Sequence, residues 1–395
     1  MHGKRIFSLI ISLIMVFCLI FNLAAWESAA FSDFYVTNIY PRITSAYGAI
    51  TSKFAFSVGE IMLVLIVLFI VFALLFLTAH AIFWIYSKKA TNKGQKFFSA
   101  DRVFKRISGI LHRVSPIVMA IVCTIMSLNC FVLYHTSKLQ VSDVGFTKEY
   151  DLAQLAELRD SVVKKCNELA EKVPHDEYGN VIYDGNMQET AILAMKNLEG
   201  EFPRLGGYYV TPKPLHFSGF MSQQYMQGYY FPFSMEANYN DAMSIMNKPF
   251  TMCHELAHTH GYIYEDEANF LGFLACIRSD DIVFEYSGYL GVLNYINNDF
   301  YKAVSKEEYN KHVKISDRVK YDNQFLTKEA WVKVEKKAVV KTETVKKAAE
   351  KFIDTNLKVN GVLSGKVSYC HVVALIMDYY YNEPEYAENE SGDKV

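Results

Sequence analysis

No two of the seven cysteines in this 395-residue chain form a CxxC pair. That absence excludes a cysteine-built zinc site and a dense disulfide scaffold. Cys18, Cys123 and Cys130 lie in apolar runs, which leaves Cys166, Cys253, Cys276 and Cys370 for at most one or two bridges. An excess of charge is lacking too: 40 basic side chains stand against 42 acidic ones, a formal net charge of -2. The basic residues gather in one short loop, so there is no electrostatic footprint for nucleic acid. No internal repeat is visible either.

What the chain does have is long apolar runs, all towards one end. A hydrophobic content of 51% and a mean hydropathy of +0.07 would be odd for a soluble protein. The average hides a split between residues 1–136, which hold nearly all the long runs, and residues 137–395, which have a globular composition. Ile6 to Trp26 carries no charge and matches the roughly 20 residues that cross a bilayer. Ile61 to Tyr86 is longer and ends in Trp84 and Tyr86, rings that favour the membrane interface. Ile117 to Tyr134 is weaker, since it contains Ser127 and Asn129, and a buried globular helix is its alternative. Three transmembrane helices are therefore predicted at about 6–26, 61–86 and 117–134. Three spans with no charge at mid-depth argue against a transporter.

The loops set an expected orientation. Residues 87–115 carry Lys88, Lys89, Lys93, Lys96, Arg102, Lys105, Arg106 and Arg113 against Asp101, which marks a cytoplasmic loop. The charges of 27–57 cancel, and Lys4 and Arg5 precede the first run. The chain after residue 136 is thus expected outside the cytoplasm. Ala24, Ala25, Ala29 and Ala30 would also suit signal-peptide cleavage, which leaves residue 31 on the same side. Glu60 reads as an interfacial carboxylate.

Residues 137–383 are expected to form one α+β, mostly helical domain, with a polar tail at 384–395. Apolar residues recur at three and four over 147–173 and 187–199. Further helices are expected after Pro249 and at 264–278, 281–298, 327–352 and 366–381. The Gly-, Pro- and aromatic-rich segment 206–240 reads as strands and turns.

The chemistry sits in PFTMCHELAHTHGYIYEDEANFLGFLAC, residues 249–276. On a helix, His254 and His258 lie one turn apart and can hold one Zn²⁺ at about 2.0–2.1 Å. Glu255, about 100° further round, can act on water at the metal without being a ligand. A catalytic zinc usually takes a third protein ligand. Gly261 permits a turn, after which Glu265 opens a second helix and shares a face with Ala268, Asn269, Gly272 and Cys276. Small residues on that face let the helices approach, so Glu265 is the expected ligand and Asn269 the residue that orients a histidine. Glu267, about 200° away, is the runner-up with an expected core-edge or solvent position. His260 points away from the pair and is expected to be exposed or to support a ligand.

The set His254, Glu255, His258, Glu265 and Asn269 resembles the zincins that use a glutamate ligand. The spacer from His258 to Glu265 is shorter than in thermolysin-like enzymes, and Gly261 is similar to the metzincin turn, with Tyr264 at that group's third ligand position. More of the chain resembles a bacterial membrane family catalogued as domain of unknown function 3810. The likeness runs through the three apolar runs, GYYFPFSMEANYN at 228–240, PFTMCHELAHTHG at 249–261, EDEANFLGFLAC at 265–276, YSGYL at 286–290 and GVLSGKVSYCHVVALIMDYY near the end. It implies a zincin-like, peptidase-like domain outside the cytoplasm and by itself no substrate; the motif's own chemistry makes Zn²⁺ the expected cofactor and a peptide or protein the expected substrate, beside a lipid bilayer and with no nucleic acid. In zincins the substrate lies along an edge strand before the active-site helix, which makes 233–240, with Glu236 and Asn238, the candidate strand. An ordinary core strand, with Glu236 pairing a buried base, is the alternative. Tyr286 or Tyr289 is a candidate donor to an oxyanion, and Arg318 and His371 are weaker candidates. The expected activity is a zinc metallopeptidase acting outside the cytoplasm; a zinc-binding sensor that hydrolyses nothing is the alternative.

Overall fold

A helix of about 20 or more residues with a long apolar stretch predicts a bilayer neighbour, and the computed structural model has three such helices among the described residues. It describes residues 2–91, 98–139, 151–359 and 371–382. Helices α1 (His2–Glu27), α4 (Val58–Thr91) and α5 (Phe98–Met126) supply candidate spans at Arg5–Glu27, Val58–Lys88 and Arg102–His135. Leu13, Ile20, Leu65 and Leu75 are each more than half exposed. The third span continues through a π turn, Ser127–Phe131, and a 3₁₀ turn, Leu133–His135. These helices mark a membrane-associated protein.

The segment read as a loop at 27–57 is folded. Ser28 caps α2 (Ala29–Asn38) by accepting the Phe31 N–H at 3.2 Å, and Pro41 starts α3 (Tyr40–Thr51). Tyr35, Val36 and Tyr40 then pack with Ala25, Val132, Leu133, Tyr230, Met235 and Ile263 in one buried cluster. Short helices of this kind are hard to see in sequence, because tertiary packing and not propensity holds them. The packing crosses residue 136 and joins the C-terminal ends of the first and third spans to the following domain.

That domain is mostly helical with few strands. Helices α6 (Leu152–Lys172) and α7 (Met187–Lys196) precede β1 (Lys213–Pro214), α8 (Ser218–Gln223), β2 (Gly228–Phe231) and β3 (Glu236–Tyr239). Helices α9 (Lys248–Thr259), α10 (Glu265–Ile277) and α11 (Ile282–Ala303) follow, then the short α12 (Lys306–Tyr309) and α13 (Asp317–Asp322). The helix expected at 327–352 is broken into α14 (Lys328–Lys337) and α15 (Thr342–Val359), because Ala338 turns extended. Helix α16 is His371–Asn382. The start of the helix expected at 147–173, the start of that at 366–381, and the tail 384–395 lie outside the described residues. Cys18, Cys123, Cys130, Cys166, Cys253 and Cys276 are free thiols, and Cys370 is outside the described residues.

The sheet has the order β1-β3-β2, with β1 parallel and β2 antiparallel to β3. The expected edge strand is therefore corrected: Glu236 and Asn238 lie on the central strand, fully buried, and β2 is the edge beside α9. The Glu236 carboxylate is part of the core. It pairs with Lys213 Nζ at 2.6 Å and accepts the N–H groups of Val58 at 3.1 Å and Gly59 at 2.7 Å and the Ser234 hydroxyl at 2.6 Å. Lys213 also donates to the carbonyls of Thr51 and Phe56. A buried pair is tolerable only when its remaining donors and acceptors are filled, as here. Glu60, on the first turn of α4, accepts the His216 and Phe217 N–H groups at 2.8 Å each. The sheet is thus bolted to the start of the second span.

Removing one partner of such a pair strands a buried charge, at a cost of about 3–5 kcal/mol. Lys213→Ala should lower the thermal unfolding midpoint of the detergent-solubilised chain sharply, whereas Lys248→Ala, at the more exposed Asp241 pair, should scarcely move it. Equal small shifts would contradict this account of the seam.

Candidate metal centre

Helix α9 is placed by both its ends. At its start the Phe250 N–H donates to the Ser287 hydroxyl at 3.1 Å, which itself donates to the Met246 carbonyl at 2.6 Å. At its end Gly261 adopts φ +86. The Gly261 N–H bonds the His258 carbonyl at 3.0 Å and the Tyr262 N–H bonds the Ala257 carbonyl at 3.2 Å, a Schellman turn. That turn brings the Tyr262 carbonyl within 2.7 Å of His258 Nδ1. Nδ1 is then the protonated nitrogen, and Nε2 carries the free lone pair.

Helix α10 lies close against α9 because Gly272 faces the His254 backbone: a Cβ there would stand 3.2 Å from His254 N and 3.4 Å from the Phe250 carbonyl. One turn on, the Cys276 and Cys253 sulfurs are 3.8 Å apart. The close approach carries Glu265 to the histidines, with His254 Nε2 at 3.3 Å and His258 Nε2 at 3.8 Å from its oxygens. The rings stand edge to face at 4.6 Å. One ligand atom from each of the three residues lies within 4.8 Å of the others, a geometry that could hold a metal ion. The two imidazoles are nearly buried, while 39% of the Glu265 side chain is exposed, so the trio is reached from solvent.

Charge and burial compete at each group. Burial pulls both histidines towards neutrality. At His254 the hydrogen bond and charge of Glu265 outweigh it and raise the pKa, whereas His258, with His254 beside it, falls to about 4. Burial alone would raise Glu265, but the two imidazoles hold it well below the usual carboxylate range. Glu255 is pushed up to about 8, by burial first and then by the charge of Glu265, against the lowering influence of His254. Its Oε2 has no hydrogen-bond partner among the described residues. Its Oε1 lies against Gly228 of β2, where a Cβ would come within 2.7 Å.

The remaining predicted residues are placed as follows. Asn269 is buried on the trio's side of α10, where it helps to hold up the His254 pKa although Nδ1 lacks a well-formed hydrogen bond. Glu267 is buried, not at the solvent edge, and its Oε1 accepts the Leu139 N–H at 2.8 Å. Burial pushes its pKa up to about 7. His260 is buried as well, 4.0 Å from the Tyr209 ring, with Nδ1 on the Leu256 carbonyl. Tyr286 is not an available donor: its buried hydroxyl is spent on Asp322 at 3.1 Å, which also holds Arg318. Tyr289 packs on Phe273 at 5.7 Å, and the His371 side chain lies outside those described. Tyr134 lies near Glu265, and the Tyr230 ring is 6.4 Å from His258; a third tyrosine beside the trio is Tyr295, nine residues after Tyr286 on α11. Burial and the charge of Glu265 push it up to about 12 against a hydrogen bond with Asn269. Among 27 tyrosines no local pattern distinguishes it.

The family model described as "Protein of unknown function (DUF3810)" matches residues 35–377, and the chain belongs to that family. No curated protein and no solved structure matches it. The matched range includes the last four residues of α2 and all of α3 as well as the candidate metal centre.

The turn at Gly261 gives a test. A side chain there would meet the left-handed φ, at a cost of about 1–2 kcal/mol, and would overlap Val36 Cγ2 of α2. Gly261→Ala should therefore destabilise the chain by at least that much in denaturant unfolding, and pairing it with Val36→Ala should recover part of the loss. No effect from the single variant would contradict the turn's role.

Proposed function

We propose that the chain is a zinc-dependent metallopeptidase with a zincin-like domain held at the membrane. The observation that carries this reading is the trio itself, two imidazole Nε2 atoms and a carboxylate converging within 4.8 Å beside a buried glutamate with an unpartnered oxygen. The donor set fits zinc: two neutral nitrogens and one carboxylate are a catalytic complement, and sulfur is absent from it. His254, His258 and Glu265 would hold the ion. When bound, zinc polarises a carbonyl oxygen and lowers the pKa of water beside it.

The chain's own residues do the rest. The Tyr262 carbonyl fixes the tautomer of His258 so that Nε2 faces the site, and Glu265 holds His254 in place. Glu255 accepts a proton from the attacking water and delivers it to the leaving amine; the C–N bond breaks and a carboxylate and an amine result. A group poised between ionised and neutral near working pH suits both transfers. A sensor that binds metal without hydrolysis would have no use for a buried, unpaired carboxylate, so Glu255 favours catalysis.

The same reading places the domain outside the cytoplasm. Lys88 lies on the last turns of α4 and Arg102, Lys105 and Arg106 on the first turns of α5, whereas the domain packs at Ala25, Val132 and Leu133 of the other two spans and bonds Gly59 and Glu60 at the start of α4.

Glu255→Gln should leave bound zinc unchanged and reduce hydrolysis of a mixed peptide substrate by about 10²–10⁴-fold, the usual contribution of general acid–base catalysis. Zinc content and turnover are read on the same preparation. Zinc-loaded wild type that cleaves nothing, or a Gln variant as fast as wild type, would overturn the peptidase reading.

A further inference from the structure

The edge strand β2 leads from the metal centre to the membrane. Gly228 lies against Glu255, and the Tyr230 ring is 6.4 Å from His258. Phe231 lies over Gly59, on the first turn of the second span, so closely that a Cβ there would be 2.5 Å from its ring. The Pro232 carbonyl accepts Asn129 Nδ2 at 2.8 Å, within the last turns of the third span. At about 3.3 Å per residue, Gly228 and Phe231 are about 10 Å apart.

Among the described residues one side of β2 has no strand beside it. The Gln227 carbonyl takes the Asn240 N–H at 2.7 Å and the Phe231 carbonyl takes the Met235 N–H at 2.8 Å. Residues 227, 229 and 231 therefore bond towards β3, and the backbone groups of Gly228 and Tyr230 point the other way. Among the described residues no strand pairs with that edge. An open edge beside a reactive centre is a template for an extended chain.

The height of the bilayer is marked independently. Glu60 holds the Phe217 N–H, and Phe54, Phe56, Phe217 and Phe220 are exposed by 43, 49, 51 and 55%. An apolar rim that is tied to the first turn of a membrane span belongs in the interface. The far end of β2 is at that level.

We propose that the substrate is a membrane-anchored polypeptide, whose extended segment next to its anchor pairs with this edge of β2 and is cut a few residues from the bilayer. The proposal rests on the peptidase reading, and it adds direction: the edge aligns a chain that rises out of the membrane, with about 10 Å, or roughly three residues, between the interface and the trio.

The test uses the full chain in phosphatidylcholine–phosphatidylglycerol vesicles, zinc-loaded, as wild type and as Glu255→Gln. The probe is a degenerate-sequence peptide library containing photo-leucine, offered free in solution or fused directly to a single transmembrane helix. On Glu255→Gln, mass spectrometry should map cross-links from the anchored library to residues 228–231, at least about tenfold above the free library. Wild type should cut the anchored peptides about three to six residues from the anchor. Equal cross-linking and cleavage of both forms would overturn the proposal and leave the peptidase reading standing. Cross-links to β2 from the anchored form with no cleavage by wild type would uphold the docking and overturn the peptidase reading. No cross-links to β2 from either form would overturn the proposal outright.

Discussion

Gly272 sets how near α10 can come to α9, and the candidate metal centre depends on that distance. Helices with ordinary side chains between them stand about 8–10 Å apart. With hydrogen in place of a side chain facing the His254 backbone, the second helix approaches until Glu265 reaches both imidazoles. Ala268 and Cys276 keep the rest of that face small. A larger residue at 272 would push the carboxylate away, and two buried histidines would then face each other with nothing between them. The Gly261 turn is the second half of the same device, since it reverses the chain within the few residues available and leaves the Tyr262 carbonyl on His258.

The sheet and the spans form a second seam that shares strands with the first. Lys213 and Glu236 tie β1 and β3 to the ends of α3 and α4, and β2, paired with β3, lies against Glu255 at Gly228. A shift of the second span would pull on the strand whose backbone touches Glu255. Tyr40 and Tyr230, hydroxyl to hydroxyl at 2.9 Å, and Thr44 on the Thr259 carbonyl at 3.3 Å tie α3 to the same region. Residues 29–60 thus brace the strands and the helix that carry the site, and 137–383 alone would lack that brace.

The features legible in the sequence were local or periodic. The spans follow from uninterrupted apolar runs, and the face shared by Glu265, Ala268, Asn269 and Gly272 follows from helical spacing, which is why the sequence alone puts those residues opposite His254. What escaped was long-range. Nothing near 233–240 says that β3 gains a parallel neighbour from residues 213–214, so the central strand looked like an edge. Tyr286 and Tyr295 lie on the same helix with similar surroundings in sequence, and only the packed structure sends one hydroxyl to Asp322 and the other towards Asn269. The helices at 29–51 were missed because they are short and gain their burial from Val132, Leu133, Tyr230, Met235 and Ile263, far away in sequence. Glu60 looked interfacial, and its carboxylate in fact holds two backbone N–H groups of a turn more than 150 residues away.

The central claim is that His254, His258 and Glu265 bind zinc as a set, and zinc titration of the full chain and two variants tests it most directly. Wild type should take up one equivalent. Glu265→Ala should lose more than the roughly 10–100-fold in affinity that follows from disturbing a residue merely supporting a ligand. Glu267→Ala, whose carboxylate accepts the Leu139 N–H and does not face the trio, should bind almost as tightly as wild type. Uptake below about a tenth of an equivalent by wild type, where a true site should fill, or loss in Glu267→Ala with binding kept in Glu265→Ala, would contradict the account.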